Sequence, residues 1–192
     1  MRKLIVTEFV SLDGVMEAPG GEAGYPHAGW VGGYFSDELG SYKGEEQEAA
    51  DVLLLGRRTY DSFYGAWPHR EGPMADKINT MRKLVASTTL GSSDWHDTTV
   101  IASDLVGAVR AVKDEDGGPI LVAGSRSVVH TLLEAELVDE IHLQVFPVVL
   151  GSGMRVYPDT AEPVRLALDS SRRLDSGVLL LSYDVQQPPR PE

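Results

Sequence analysis

Three short stretches of this chain each close an apolar run with small, hydroxyl or cationic residues and then open a helix-like pattern. They are Gly56-Arg57-Arg58-Thr59 after the run 52–55, Ser87-Thr88 after 84–86, and Gly124-Ser125-Arg126 after 120–123. In an open parallel sheet, ligands bind beyond the carboxyl ends of the strands. Helix N-termini there present unpaired N–H groups and a positive dipole end to a phosphate. Guanidinium groups add charge-assisted, paired hydrogen bonds. Three such junctions in one chain predict a site for a phosphate-bearing, dinucleotide-type ligand.

The elements that must hold these junctions alternate along the chain. Residues 4–10 read as a first strand. The stretch 18–33, rich in Gly and Pro, is too long for a plain turn and reads as an ordered, functional loop. It carries Trp30, with Tyr34 and Phe35 just beyond it. With Trp67 and Pro68 they offer aromatic surface of the kind that lines a pocket for a flat ligand, or packs a core. Closure of this loop over a substrate is the expectation for it. Ser36-Asp37-Glu38 opens an acidic helix, whose run Glu45-Glu46-Gln47-Glu48 reads as a solvated face. Residues 52–55 form a continuous apolar strand, as in a parallel sheet covered on both faces. A helical turn follows at 59–64, then a break at Gly72-Pro73, a helix over 76–82 and strands over 84–87 and 98–102. Ser103-Asp104 caps a helix with apolar spacing, 120–123 is a strand, and the next helix buries Val128, Val129, Leu132 and Leu133 on one stripe. Strands at 140–146 and 178–185 read as antiparallel to each other. Residues 1–185 thus form one domain and 186–192 a disordered tail.

Bulk properties narrow the classes. A net charge of −12 over 192 residues argues against nucleic-acid or anionic-membrane partners, which need a basic face to displace counterions. It leaves room for a local positive pocket. The absence of cysteine removes disulfides, thiolate metal sites and thiol catalysis. The five histidines show no metal-ligand spacing, so no metal is expected. No G-x-S-x-G elbow supports hydrolysis. No apolar run reaches the length of a membrane span, and the basic then apolar N-terminus leads into no cleavage site. The location expected is cytoplasmic.

Taken in order, SLDG (11–14), LLLGRRTY (53–60), VASTT (85–89), VAGSRSVVHTLLEAELVDEIHL (122–143) and PVVLGSG (147–153) resemble the dihydrofolate reductase fold. Within it, the likeness is to the reductase domain of the bifunctional riboflavin-biosynthesis deaminase/reductase and its stand-alone relatives. The resemblance spans nearly the whole chain. It implies an α/β three-layer sandwich with a mostly parallel central sheet and antiparallel C-terminal strands. It further implies NADPH as cofactor and hydride transfer to a flat heterocycle, pterin-like or pyrimidine-like. Position by position, Gly56, Arg57, Arg58 and Thr59 would meet the diphosphate and the 2′-phosphate, and Ser87 and Thr88 the adenosine 2′-phosphate end. Gly124, Ser125 and Arg126 would approach the diphosphate and the nicotinamide ribose. Asp13, Gly14, Val15 and Met16 match the loop that covers the nicotinamide. Trp30, Tyr34 and Trp67 would line the substrate pocket. A homodimer is expected as well, through the apolar stretch 143–151, since exposed edge strands invite pairing.

The chain departs from the pattern twice. Dihydrofolate reductases carry a Gly-Gly pair where this chain has Gly124-Ser125. They also carry a buried acid on the first helix, where this chain offers Asp37 and Glu38 at a helix start, the ordinary place for caps and dipole partners. The proton donor is therefore unnamed. Two readings stay open: an NADPH-dependent reductase of a planar small molecule, and a protein that binds a nucleotide or planar ligand on the same fold without turnover.

Overall fold

The computed structural model describes residues 1–157 and 163–186. Short runs of Leu, Ile and Val make eight strands: β1 (Leu4–Ser11), β2 (Val52–Gly56), β3 (Arg82–Ala86), β4 (Thr98–Ile101), β5 (Ile120–Val122), β6 (Glu140–Phe146), β7 (Arg165–Arg173) and β8 (Leu179–Gln186). They form one sheet in the order β4-β3-β2-β5-β1-β6-β8-β7. The first six are parallel; β8 runs antiparallel to β6 and to β7. Between them lie α1 (Asp37–Ala49), α2 (Arg57–Ala66) with a 3-10 turn at Trp67–His69, α3 (Pro73–Thr80), α4 (Leu105–Lys113) and α5 (Arg126–Glu134). Among the described residues, no helix is long and apolar enough to cross a membrane.

The central strands are buried on both faces, so they carry continuous apolar runs rather than alternation. One face packs Leu4, Val6, Leu54 and Val122 against Val109 and Val112 of α4 and Val128, Val129 and Leu132 of α5. The opposite face packs Leu53, Leu55 and Leu121 against Tyr60 of α2 and Ile78 of α3. A third cluster gathers Phe146, Leu39, Val178 and Leu180 near the C-terminal strands. Helices on both faces of the sheet thus make the three layers expected from the sequence resemblance.

Several details differ from the sequence reading. Helix α2 begins at Arg57 and runs ten residues, longer than the turn expected at 59–64. Helix α3 starts at Pro73, whose fixed φ and missing N–H suit a first helical position, rather than at 76. Arg82 opens β3 instead of closing that helix. Strand β7 was not anticipated. Its residues are mostly exposed on a sheet edge, so no apolar alternation announces it. Residues 143–146, expected at an exposed edge, lie in β6 between β1 and β8. The edges are β4 and β7. Strand β8 reaches Gln186, one residue past the expected domain limit, and residues 187–192 lie outside the described residues.

In helix α1 the expected solvated acidic face holds for Glu45 and Glu48, which are exposed, but not for Glu46 and Gln47. The helix has almost no apolar stripe: of its residues, Leu39 and Gln47 are fully buried. Glu46 also turns inward. Its carboxylate takes hydrogen bonds from Lys43 (2.5 Å) and from the Thr7 hydroxyl (2.9 Å), and meets His142 Nδ1 at 2.8 Å. Buried charges persist when paired and hydrogen-bonded, and here a polar network seats the helix. Burial alone would raise the Glu46 pKa, but Lys43 and His142 outweigh it and bring it down to about 2.

Candidate functional site

The connections fix where a ligand can enter. From β2 the chain passes through α2 and α3 to β3 on one side; from β5 it passes through α5 to β6 on the other. Strands β2 and β5 are neighbours, so their carboxyl ends bound a crevice at the point where the winding reverses. A cleft of about 410 Å³ opens there, lined among others by Arg57, Arg58, Ser87, Thr88 and Ser125.

The two junctions that make the crevice touch each other. Gly56 N–H donates to the Gly124 carbonyl at 3.1 Å. The hydroxyls of Thr59 and Ser125 are 3.0 Å apart. A side chain at Gly56 would begin 2.5 Å from Ser125 Oγ, and one at Gly124 would begin 2.9 Å from Thr59 Oγ1, so both positions require glycine on space alone. Gly124 also has φ +83°, which favours glycine. The Gly124–Ser125 peptide is cis. Gly56 has no side chain with which to cap α2, but Ser125 Oγ accepts from the Thr59 N–H of its first turn at 3.4 Å, while Ser125 makes no capping bond to its own helix α5. The first two amides of each helix, those of Arg57 and Arg58 in α2 and of Arg126 and Ser127 in α5, take no side-chain cap, and both N-termini reach the cleft.

The cations differ in their freedom. Arg57 Nε donates to both carboxylate oxygens of Asp61 at 2.9 Å, and its Nη1 reaches Thr89 Oγ1 at 3.2 Å. Arg58 is exposed on the cleft wall and has no hydrogen-bond or ion-pair partner among the described residues. Arg126 is exposed at the first turn of α5 and is not among the lining residues. Ser87, by contrast, is already engaged: its Oγ accepts from the amides of Thr89 (3.2 Å) and Leu90 (3.0 Å), shaping the turn after β3. Thr88 and Thr89 are exposed on that turn. Ser103, Asp104, Ser127 and Thr131 complete the wall. The sequence reading missed them. The signal for Ser103 and Asp104 was their place at a strand end before a helix, the same pattern as the other junctions. Asp104 caps α4 through Gly107 N–H at 2.9 Å.

The loop 11–16 lies apart from this wall and is tied to the segment after β6. Asp13 accepts from the Ser11 hydroxyl (2.7 Å) and from the amides of Leu150 (3.1 Å) and Gly151 (2.9 Å). These bonds, the serine's first, hold its carboxyl down at about 2 against a smaller opposing effect of burial. Gly14 takes φ +82° in the turn, and the Arg155 guanidinium donates to the Asp13 carbonyl. Val15 and Met16 are buried. The long loop is docked rather than free: Trp30 Nε1 donates to Glu17 O (2.8 Å), Tyr25 O–H to Ser152 O (2.6 Å), and Ser62 O–H to Glu22 Oε1 (3.0 Å).

The aromatic residues separate into two groups. Trp30 and Tyr34 pack edge-on against Phe146, with centroids 5.2 and 6.0 Å away. Trp67 belongs to the cluster around α2 and α3, against Phe63, with Arg70 stacked over its ring at 4.6 Å. Asp37 and Glu38 are exposed at the start of α1, and Ser36 supplies its cap. Among the described residues, no cluster of three or more acidic residues and histidines could hold a metal ion.

One acid was overlooked. Glu8, in the middle of β1, is 7% exposed, and its Oε1 has no hydrogen-bond partner among the described residues. An acidic residue inside the run LIVTEFV was the signal available in the sequence.

Comparison with known proteins gives the fold its relatives. The uncharacterized protein YyaP of Bacillus subtilis (strain 168) is 28% identical, over 95% of this chain and 94% of its own length. YwjB of the same organism is 25% identical, over 93% and 96%. Among solved structures, a protein from Shewanella sp. PV-4 assigned to riboflavin biosynthesis superposes with TM-score 0.71 at 18% identity, covering 96% of this chain and 99% of that one. The dihydrofolate reductase of Enterococcus faecalis, solved with NADP(H), superposes with TM-score 0.63 at 14% identity, covering 96% and 97%. At such identities the structural likeness speaks for the fold. The model of the RibD C-terminal domain matches residues 2–180, nearly the whole chain, and the protein belongs to that family.

Proposed function

We propose that the protein is a reductase that takes NADPH in the crevice between β2 and β5 and reduces a flat heterocyclic small molecule. The observation that carries this reading is the convergence of the N-termini of α2 and α5, the unpaired Arg58 and the threonine-rich turn after β3 on one cleft. This donor set fits a dinucleotide phosphate in charge and in hydrogen-bonding character. The glycines at 56 and 124, where no side chain has room, allow a ligand to approach the backbone closely.

A bound dihydronicotinamide supplies the hydride. In this reading the residues of the chain bind and orient. The α2 and α5 amides and Arg58 take the phosphates, while Thr59 and Ser125 floor the crevice. The docked loop 18–33 and Trp30 exclude water from the side where a planar substrate would stack.

Binding without turnover remains the second reading, and a specific observation favours it. The acids at the start of α1 are exposed, and Glu38 faces the Asp175 amide at 3.4 Å rather than a pocket. Fluorescence titration with NADPH tests both. Saturable binding followed by cofactor oxidation with a member of a panel of pterins, flavin precursors and quinones supports the reductase. Binding with no oxidation across the panel supports the second reading. No binding of NADPH removes the reductase and leaves, of the second reading, the binding of a planar ligand alone.

A further inference from the structure

Strand β8 alternates. Leu179, Leu181, Tyr183 and Val185 point to one face, and Leu180, Ser182, Asp184 and Gln186 to the other. The register carries the first face across its neighbours. In β6, Leu143 stands opposite Leu181 and Ile141 opposite Tyr183; in β7, Leu168 stands opposite Tyr183 and Leu166 opposite Val185. Residues directly opposite each other in an antiparallel pair share a face. The irregularity between Leu168 and Ser170 moves the register by one position. Ser171 and Arg173 therefore continue the apolar face, while Ser170 falls with Ser182 on the other.

The apolar side of such a sheet belongs against a core. As far as β6 this holds: Ile141 and Leu143 are buried in the cluster that includes the side chains of α4 and α5. Past β6 it fails. Among the described residues no helix follows α5. Leu168 is 56% and Leu179 38% exposed, and Leu166, Leu181, Tyr183 and Val185 are only half-buried. Within the 192 residues little apolar material is left to cover this face. The stretches 158–162 and 187–192 read PDTAE and QPPRPE, without a single Leu, Ile, Val, Met or aromatic residue.

We propose that this face of β7 and β8 is an interface between two copies of the chain, packed sheet on sheet across a two-fold axis. A flat apolar sheet face is complementary to itself: sheets stack about 10 Å apart with their strands within about 30° of each other. A two-fold axis sets the same patch on both copies. Electrostatics favours this surface over others. A net charge of −12 holds copies apart in general, yet the paired positions of this face include no carboxylate; their one charge is Arg173. The size also fits. Two strands of eight residues cover roughly 260 Å² in plan, an apolar centre of the kind that an interface of about 800 Å² per partner surrounds with a polar rim. In the strand order, β1 and β6 stand between this face and the crevice at β2 and β5, so the interface and the crevice are separate surfaces.

The test uses paired substitutions on the two faces of the same strands, followed by sedimentation velocity at micromolar concentration. The wild-type protein should be a dimer. Leu179→Glu, at a position already exposed in the single chain, should halve the mass, whereas Ser170→Glu on the opposite face should leave the dimer intact. Thiol labelling gives a readout that does not depend on destabilising the protein. The chain has no cysteine, so Leu179→Cys and Ser170→Cys each introduce one thiol. Maleimide should label Leu179→Cys slowly where the dimer forms and faster on dilution, and should label Ser170→Cys at one rate throughout. A monomeric wild-type protein overturns the proposal and leaves the face to a different partner. A dimer that survives Leu179→Glu with its Leu179→Cys thiol freely labelled also overturns it, because another surface then joins the copies. Equal disruption by Leu179→Glu and Ser170→Glu overturns it in favour of pairing along the β7 edge.

Discussion

The hydroxyls of Thr59 and Ser125 stand 3.0 Å apart, so the first turns of α2 and α5 meet at the point where the two halves of the sheet wind away from each other. The helices that leave in opposite directions are thereby joined at their origins. The close fit of Gly56 beneath Ser125 is what permits it.

Gly56→Ala should disturb this contact directly. The new Cβ would lie 2.5 Å from Ser125 Oγ and 3.0 Å from its backbone nitrogen, so the backbone must move. A loss of about 1–3 kcal/mol is expected, the usual cost of overpacking, read as a lower urea midpoint at unchanged slope. Ser125→Gly in the Gly56→Ala background should recover part of that loss. A wild-type midpoint in the single variant would show that the junction has slack.

Arg58 and Arg57 should differ in cofactor choice. Arg57 is braced by Asp61 and Thr89, whereas Arg58 faces the cleft unpaired among the described residues. We expect NADPH to be preferred over NADH by at least roughly tenfold, or about 1.4 kcal/mol. Arg58→Ala should erode the ratio by weakening NADPH and hardly touch NADH, as titration of both cofactors would reveal. A larger effect from Arg57→Ala would exchange the two roles.

Stability should depend on pH through His142. Burial lowers its pKa, but Glu46 and Glu140 together overcome this and raise it above 6.5. A raised folded pKa means that the stabilisation is complete below the unfolded value of about 6.5 and is lost as pH rises through the folded value. Denaturation midpoints should therefore fall on moving from pH 6 upward through that range, and His142→Gln should flatten that limb. Glu46→Gln should cost about 3–5 kcal/mol, because it leaves Lys43 buried without its counterion.

The expected homodimer cannot form through 143–146, which lie inside the sheet, whereas the rest of the stretch read from the sequence, 147–151, reaches the surface, with Val149 66% exposed. Strand β7 is a free edge of the sheet, and Leu168 on it is 56% exposed. Light scattering at micromolar concentration should show a dimer, and Leu168→Glu should shift it toward monomer. A monomeric wild-type protein would end the proposal.

What the sequence made legible follows from burial. The parallel strands announce themselves because both faces are covered, and the strand-end junctions at 56–59 and 124–126 because small and cationic residues interrupt apolar runs. Strand β7 was hidden because an exposed edge imposes no pattern. The inward turn of Glu46 was hidden because two of its partners, Thr7 and His142, are distant in sequence and come together only in the folded sheet. Glu8 was visible as a charge in an apolar strand, but its place beside Gly124, 116 positions away, arises only in the folded sheet.

Thr7 and Glu8 are consecutive in β1 and serve opposite faces, the one bonded beneath α1 and the other lodged under Gly124. A slip of β1 by a single position would exchange those faces. In one sense it would bring Glu8 to face Glu46 and Phe9 under Gly124; in the other it would bring Val6 to face Glu46 and Thr7 under Gly124. An apolar strand could tolerate such a misalignment, because one aliphatic residue replaces another at little cost. Here the first slip sets two acids face to face, and the second takes the Thr7 hydroxyl away from the buried Glu46 carboxylate. The polar pair in the middle of β1 thus penalises misalignment of the central strand in either sense.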